Sequence, residues 1–597
     1  MLRRPYLVAA FVLFAAVPSL RAADEESKVP KLAHIKLSGD LDETPIASDP
    51  LFGASSENFK DKLDRLKKAG KDKDVAAIYL QLDGLSVGWG KIDELRRAIA
   101  DVRKAGKKVY AYLEAGEAHD YLLALACDEV FMPESGTLMI TGLRAEVTFY
   151  KKLLENISLK ADVLQVGDFK GAAEPFVRTE MSKEVRQNLE SVLDDFYDNS
   201  YIGPIVEAMS KRTGKAWTAG QVKKLIDEGP YTAKKAGELK LIDRVAYADA
   251  IQDSVKAQLK AEKVTVVKNY GQAKHDDLDF SNPFTLMLKL LKPPAGKSSS
   301  KAKVAVIYAA GPIVTGKGTS GIFGGNMVGS TTMIEAIRQA EEDSTVKCIV
   351  LRVDSPGGSA LASDLIWNEL QKCKKPIVAS MSDVAASGGY YISMAAKKIY
   401  AEPGTITGSI GVFGMKLVTG DLEKRVGLTS EIIHRGANAG IMSSTTPYTD
   451  AERKAMRAII EDVYDQFITK AVDGRKKAGK QFTKAELDKL AGGRIWTGRQ
   501  AKANGLVDEL GTLADAITAA KDLAGVKDEL EILPLPKPRS PFESLLGGQL
   551  EERALSGALG LVRDVPNMQR HLRTLDMLLR LQGEKAWMVI PYRLEVR

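Results

Sequence analysis

The chain has 597 residues, 45% of them hydrophobic and 27% charged, with three cysteines, five histidines and a net charge of +7. That apolar fraction suits a globular protein and excludes wholesale disorder, while a mean hydropathy of −0.14 without long apolar runs excludes a polytopic membrane protein. Cys127, Cys348 and Cys373 cannot build a disulfide framework, no Cys/His spacing suits a metal, and no dense basic block points to nucleic acid.

Taken in chain order, the N-terminus reads as an export signal. Arg3 and Arg4 form a positive n-region, Tyr6 to Val17 a short apolar core, and Leu20-Arg21-Ala22-Ala23 a small-residue cleavage site before Asp24. An apolar core of about twelve residues is too short to span a bilayer interior of ~30 Å, so residues 1–23 are a signal segment or a short anchor. Residues 24–268 alternate short β-branched runs with helical patterns such as Ile92 to Val102. A linker follows at 269–302, in which an apolar helix-like run after Pro283 gives way to Pro293, Pro294 and Ser298 to Ser300. Residues 303–533 resume the alternation, with a helical pattern at Met333 to Ala340. Pro534, Pro536, Pro538 and Pro541 open a tail over 534–597, amphipathic at Leu572 to Leu581 and strand-like from Trp587 to Val596. The sequence alone assigns that tail no function.

The two long segments are copies of each other. Lys31 to Gly39 matches Lys303 to Gly311, Ala77 to Asp83 matches Cys348 to Asp354, and Pro230 to Ala236 matches Ile495 to Ala501. The order is kept and the offset is nearly constant, which predicts a tandem repeat of one α/β unit with a largely parallel sheet.

Three places offer chemistry. Gly311 to Lys317 follows a strand as a phosphate loop does, but Gly318 replaces the Ser/Thr and glycine-rich sequence continues where a helix should open; it reads as a flexible loop. Gly84-Leu-Ser86-Val-Gly88 has the pattern of a nucleophile elbow, yet the repeat sets it opposite Ser355 to Gly358, so a shared glycine turn explains it. The third is Ser387, in Asp383 to Tyr391, which reads as a turn from the Lys375–Met381 strand into a helix. Helix N-terminal amides there favour a developing oxyanion, and Asp354-Ser-Pro-Gly357-Gly358 adds a second glycine turn at the end of a neighbouring strand.

Together, Asp354 to Gly358, Ala385 to Tyr390, Thr407-Gly-Ser409-Ile-Gly411 and Trp496 to Ala501 resemble signal peptide peptidase A in its long, tandem-repeat form, over roughly residues 30–535. Gly167-Asp-Phe-Lys170 to Pro175 is similar to the lysine motif of that family. The resemblance implies two tandem repeats of the Clp protease/crotonase-like fold and a serine endopeptidase without a cofactor. It also implies Ser387 as nucleophile, Lys170 as general base, Ser409 orienting the lysine, and the amides of Gly357 and Gly388 lining the oxyanion hole. Implied with these are unstructured apolar substrates such as released signal peptides, a homo-oligomer, and membrane association at the periplasmic face of the inner membrane or in the periplasm. Two rival readings share the fold: a non-catalytic membrane-associated scaffold, and an acyl-CoA-binding crotonase-like enzyme.

A lysine of ordinary pKa ~10.4 cannot accept a proton at neutral pH; desolvation must lower it by several units. Val163 to Val166, Phe169, Ala172, Ala173, Pro175 and Phe176 give Lys170 apolar neighbours, although Asp168 and Glu174 flank it. The internal alignment sets Ala439 opposite Lys170, Glu117 roughly opposite Ser387, and Leu143 opposite Ser409. Each copy holds part of the site and lacks the rest, so packing of the repeats must unite it.

Overall fold

Strands that are apolar on both faces pack between layers of helix, and the chain builds two such sheets. The computed structural model describes residues 29–45, 57–272, 300–318, 326–537, 577, 581 and 584–590. The segment expected to direct export, the apolar run after Pro283 and most of the tail lie outside these residues. In the first half Thr265–Val267, Lys31–Gly39, Val75–Leu85, Lys108–Leu113, Glu129–Met132 and Arg244–Val245 lie side by side in that order, all parallel. In the second half the same order recurs in Glu531–Leu535, Lys303–Ala310, Val346–Ser355, Ile377–Ala386, Lys398–Ala401 and Glu509–Leu510, again all parallel. The chain is thus a tandem repeat of one largely parallel α/β unit.

Side-chain alternation along each strand feeds two cores. In Lys303–Ala310, Ala305, Ile307 and Ala309 face one cluster, and Val304, Val306 and Tyr308 face another under the helix Leu513–Leu523. The expected helical patterns form Trp89–Lys104 and Ser330–Glu342. Boundaries shift in places. Pro534, read as the start of the tail, pairs with Val306 inside the strand Glu531–Leu535. The turn read from Asp383 onward is strand as far as Ala386, because Val384, Ala385 and Ala386 pair with Ile406, Thr407 and Gly408; the break falls at Ser387.

The repeats grip each other in two ways. Lys160–Val166 of the first runs antiparallel along the whole of Val412–Val418 of the second. In addition, helix Trp89–Lys104 lies against the second sheet, where Gly90 allows the approach: a Cβ there would sit 2.6 Å from the Ser382 carbonyl oxygen. Buried charge fixes this contact. Arg352 donates to Glu43 and Glu94, each at 2.7 Å, and to Ser380 and Ser382 at 3.0 and 3.1 Å. Lys91 lies 2.7 Å from Asp354 and 3.0 Å from Asp383. Removing one member of such a buried network strands the others, which is why it fixes one docking of the two halves.

Candidate active site

Ser387 is the hinge between Ile377–Ala386 and the short helix Gly388–Ser393. Its φ of +55° lies where a side chain rarely sits, and the surrounding bonds hold it there. Its N–H donates to the Gly408 carbonyl at 2.8 Å, and its carbonyl accepts from Tyr391 N at 2.9 Å. Because Gly388 is the first residue of that helix, its N–H has no intrahelical acceptor.

Lys170 arrives from the other repeat, in the loop after Lys160–Val166. Its Nζ lies 2.8 Å from Ser387 Oγ, 3.0 Å from Ser409 Oγ and 3.1 Å from the Ser409 carbonyl oxygen. Ser387, Lys170 and Ser409 are all buried. Burial alone lowers the Lys170 ammonium from an ordinary 10.5 to about 7, and among the described residues no carboxylate pairs with it to reverse this. The acids beside it in sequence are engaged elsewhere. Glu174 accepts from Ser182 N at 2.9 Å, and Asp168 faces Arg494.

A turn that the sequence reading missed holds the lysine loop. Phe169 N donates to the Gly492 carbonyl, Gly493 N to that of Ile410, and Ser409 N to that of Arg494 at 2.6 Å. The Arg494 guanidinium lies 3.5 Å from the centre of the Phe169 ring. Asn188, on the first repeat's helix Lys183–Asp195, accepts from Ile495 N at 2.8 Å and donates to its carbonyl at 2.9 Å. Gly493 has φ +90°, and a Cβ on it would meet Lys170 Cα at 2.4 Å. Residues 492–495 therefore connect Lys170 to Ser409 in one short segment. The only signal in the sequence is the Gly492-Gly493 doublet before the Trp496 motif.

The two glycine turns converge on Ser387. Gly357 has φ +95° and donates its N–H to Ser355 Oγ at 3.2 Å. A Cβ on Gly357 would fall 2.6 Å from Gly388 N, and one on Gly388 would fall 3.2 Å from Gly358 N. Only glycine lets these backbones meet. The other two candidates show no such convergence. Ser86 is exposed in the turn before Trp89–Lys104 and bonds no histidine among the described residues. In the Gly311 to Lys317 loop, the amides of Gly316 and Gly318 donate to Ser330 and Thr332 side chains, and so are taken up locally.

In the first repeat the equivalent site is empty of this chemistry. The Tyr121 hydroxyl donates to the Leu241 carbonyl as that of Tyr390 does to Leu506. Matching those tyrosines sets Ala118, the neighbour of Glu117, at the Ser387 position. Ala439, opposite Lys170 in the alignment, lies in an exposed loop.

The chain is a tandem Clp protease-like α/β protein of the peptidase class, with a Ser–Lys–Ser cluster across its repeats. The model for peptidase family S49 matches residues 101–262 and 369–527, just over half of the chain and part of each repeat, and a Clp protease model matches residues 323–405. "Serine protease SPPA, chloroplastic" of Arabidopsis thaliana is 32% identical over 83% of this chain and 69% of its own length. "Protease 4" of Salmonella typhi is 33% identical over 80% of this chain and 74% of its own, and "Protease 4" of Haemophilus influenzae 29% identical over 83% and 79%. The chain belongs to peptidase family S49.

Proposed function

We propose that the chain is a serine endopeptidase whose nucleophile, Ser387, is activated by Lys170. The observation that carries this is a wholly buried lysine 2.8 Å from a strained serine, without a carboxylate partner among the described residues. Near neutral pH a substantial fraction of Lys170 is the free amine. It takes the Ser387 proton as Oγ attacks a peptide carbonyl, and the resulting ammonium protonates the leaving amine. The amides of Gly357 and Gly388 receive the oxyanion, for which Gly357 turns from Ser355. Water then attacks the acyl-enzyme, Lys170 again taking the proton, and Ser387 is regenerated. Ser409, bonded to Nζ, aims the amine at Oγ and stabilises the ammonium.

Substrates are unstructured apolar peptides such as released signal peptides, in keeping with the apolar cluster of Phe176, Phe413 and Met415 packed near the lysine loop. The relatives' names support a protease, and the intact Ser–Lys–Ser geometry favours it over a scaffold. We further propose a homo-oligomer exported to the periplasm or the periplasmic face of the inner membrane. Among the described residues no helix is long and apolar enough to cross a membrane.

The test is cleavage of an unstructured apolar fluorogenic peptide. Ser387→Ala and Lys170→Met should each lose about 10³-fold or more in kcat with the fold intact. Near-normal turnover by purified Lys170→Met would overturn the assignment.

A further inference from the structure

Lys170 is not the sole buried lysine that the first repeat sends into the second. Lys91, 5% exposed in the first turn of Trp89–Lys104, lies 2.7 Å from Asp354 and 3.0 Å from Asp383. Burial opposes its charge, but Asp354, Asp383 and Glu43 together raise its pKa above the ordinary lysine value. Lys91 is therefore an ammonium at working pH, the reverse of Lys170.

The two aspartates stand at a break in the sheet. Val346–Ser355 and Ile377–Ala386 pair in step as far as Val353 opposite Met381, after which Ser355 lies opposite Ala385. Ser382, Asp383 and Val384 thus face the single residue Asp354, a bulge that ends just before Ala385, Ala386 and Ser387. Pairing with Val346–Ser355 lapses there, and side chains replace it. Asp354 Oδ1 accepts from Val384 N at 3.1 Å, and Thr405 Oγ1 donates to the Ser382 carbonyl at 2.6 Å. The Asp383 carboxylate accepts from Gly88 N at 2.9 Å and Lys91 N at 2.8 Å. These bonds cap Trp89–Lys104 from the other repeat, since Gly88 at its N-cap brings no side chain. A Cβ on Gly88 would fall 2.4 Å from Asp383 Cγ, which explains the last glycine of the Gly84 to Gly88 pattern. Asp354 leads through Ser355 and Pro356 into Gly357, and past that turn Gly357–Ser359 pairs antiparallel with Trp587–Val589. The ammonium of Lys91 therefore joins the base of the oxyanion turn to the bulge that precedes the nucleophile. In the first repeat the counterpart of Asp354 is Asp83, which is exposed and pairs with Lys36 at 2.5 Å.

We propose that Lys91 is a positioning residue of the peptidase reaction: by holding Asp354 to Asp383 it sets the spacing between Ser387 Oγ and the amides of Gly357 and Gly388. This rests on the peptidase reading. Lys91 acts through the two aspartates and not on substrate. Without it two buried carboxylates face each other uncompensated, and the bulge must shift to let them separate. Oxyanion donors serve only within hydrogen-bond reach of the developing charge, and a displacement of about 1 Å costs on the order of 10²-fold. That loss falls on the transition state, so kcat drops while KM is nearly unchanged.

The experiment compares the full-length parent with full-length Lys91→Met, Asp354→Asn and the double variant. Labelling to completion with a serine-directed phosphonate counts the folded sites, and steady-state cleavage of the apolar fluorogenic peptide gives KM and kcat per labelled site. Lys91→Met should lower kcat per site about 10- to 100-fold, with KM within about threefold. The double variant should lose no more than the worse single variant, because both residues act through one contact. A purely structural role gives a different result: fewer sites label, and each keeps the parent's kcat. That result would overturn the proposal, as would losses that multiply in the double variant. Should Lys91→Met not fold, Asp383→Asn, which keeps the shape of its side chain, takes its place with the same outcomes. A parent that neither labels nor cleaves would refute the peptidase reading, whereas an active parent beside variants of equal kcat per site would refute the role of Lys91 alone.

Discussion

Burying Lys170 ties the stability of the whole chain to pH, with a sign that can be worked out. The group titrates at about 7 when folded against an ordinary 10.5, so between those values the unfolded chain holds the extra proton and stability rises with pH. At about 1.4 kcal/mol for each pKa unit, the full penalty is about 5 kcal/mol, present below pH 7 and absent above 10.5. From pH 6 to pH 9 the part recovered is about 3 kcal/mol. Lys170→Met keeps a similar length and apolar contacts but has no proton to bind, so it should lack this contribution to the slope. Urea unfolding of the parent and Lys170→Met, followed by circular dichroism at both pH values, measures the difference directly. The parent should gain about 3 kcal/mol more than the variant between pH 6 and pH 9, and the variant should be the more stable protein at pH 6. Parallel pH dependences would mean that Lys170 is solvated in solution, and would refute the argument that burial makes it a base.

The surrounding geometry makes two further claims. Ser409→Ala should lower kcat by about 10- to 100-fold with little change in KM, since Ser409 Oγ holds Nζ rather than substrate; a steady-state titration decides. Arg352→Met leaves Glu43 and Glu94 buried without their partner, and should destabilise the chain by about 3–5 kcal/mol in denaturant unfolding. A loss under about 1 kcal/mol would show the network to be open to water.

How far the sequence reaches depends on whether a feature is local. Strands such as Val346–Ser355 are legible because strands covered on both faces are apolar throughout, and the glycine turns after them are marked by residue type. That Lys170 and Ser387 belong together is read from the family motifs, and the repeat supports it, each copy lacking what the other keeps. The Arg352 network is not legible, since Glu43 and Glu94 are far from it in sequence and look like surface charges until the sheets dock. The turn at 492–495 is nearly silent, marked only by the Gly492-Gly493 doublet. Its bonds to Phe169, Ser409 and Asn188 are mostly main-chain, and main chain has no sequence signature. Trp587–Val589 could be read as a strand but not placed, because a three-residue strand has no stability of its own and takes its position from the edges it joins. The strand break at Ser387 lies later than Asp383 for a similar reason, as pairing with Ile406–Gly408 extends Ile377–Ala386 beyond its apolar run.

The central claim is that a neutral lysine from one repeat activates a serine in the other. Its most direct test is the rate at which a serine-directed phosphonate labels Ser387, read by mass spectrometry across pH. With Lys170 titrating at about 7, labelling should rise about tenfold from pH 6 to pH 8 and then level off, and Lys170→Met should label far more slowly without that rise. A rate that climbs about a hundredfold from pH 6 to pH 8 and goes on rising to pH 10 would indicate an ordinary lysine, and labelling of Lys170→Met at the parent's rate would contradict the account outright.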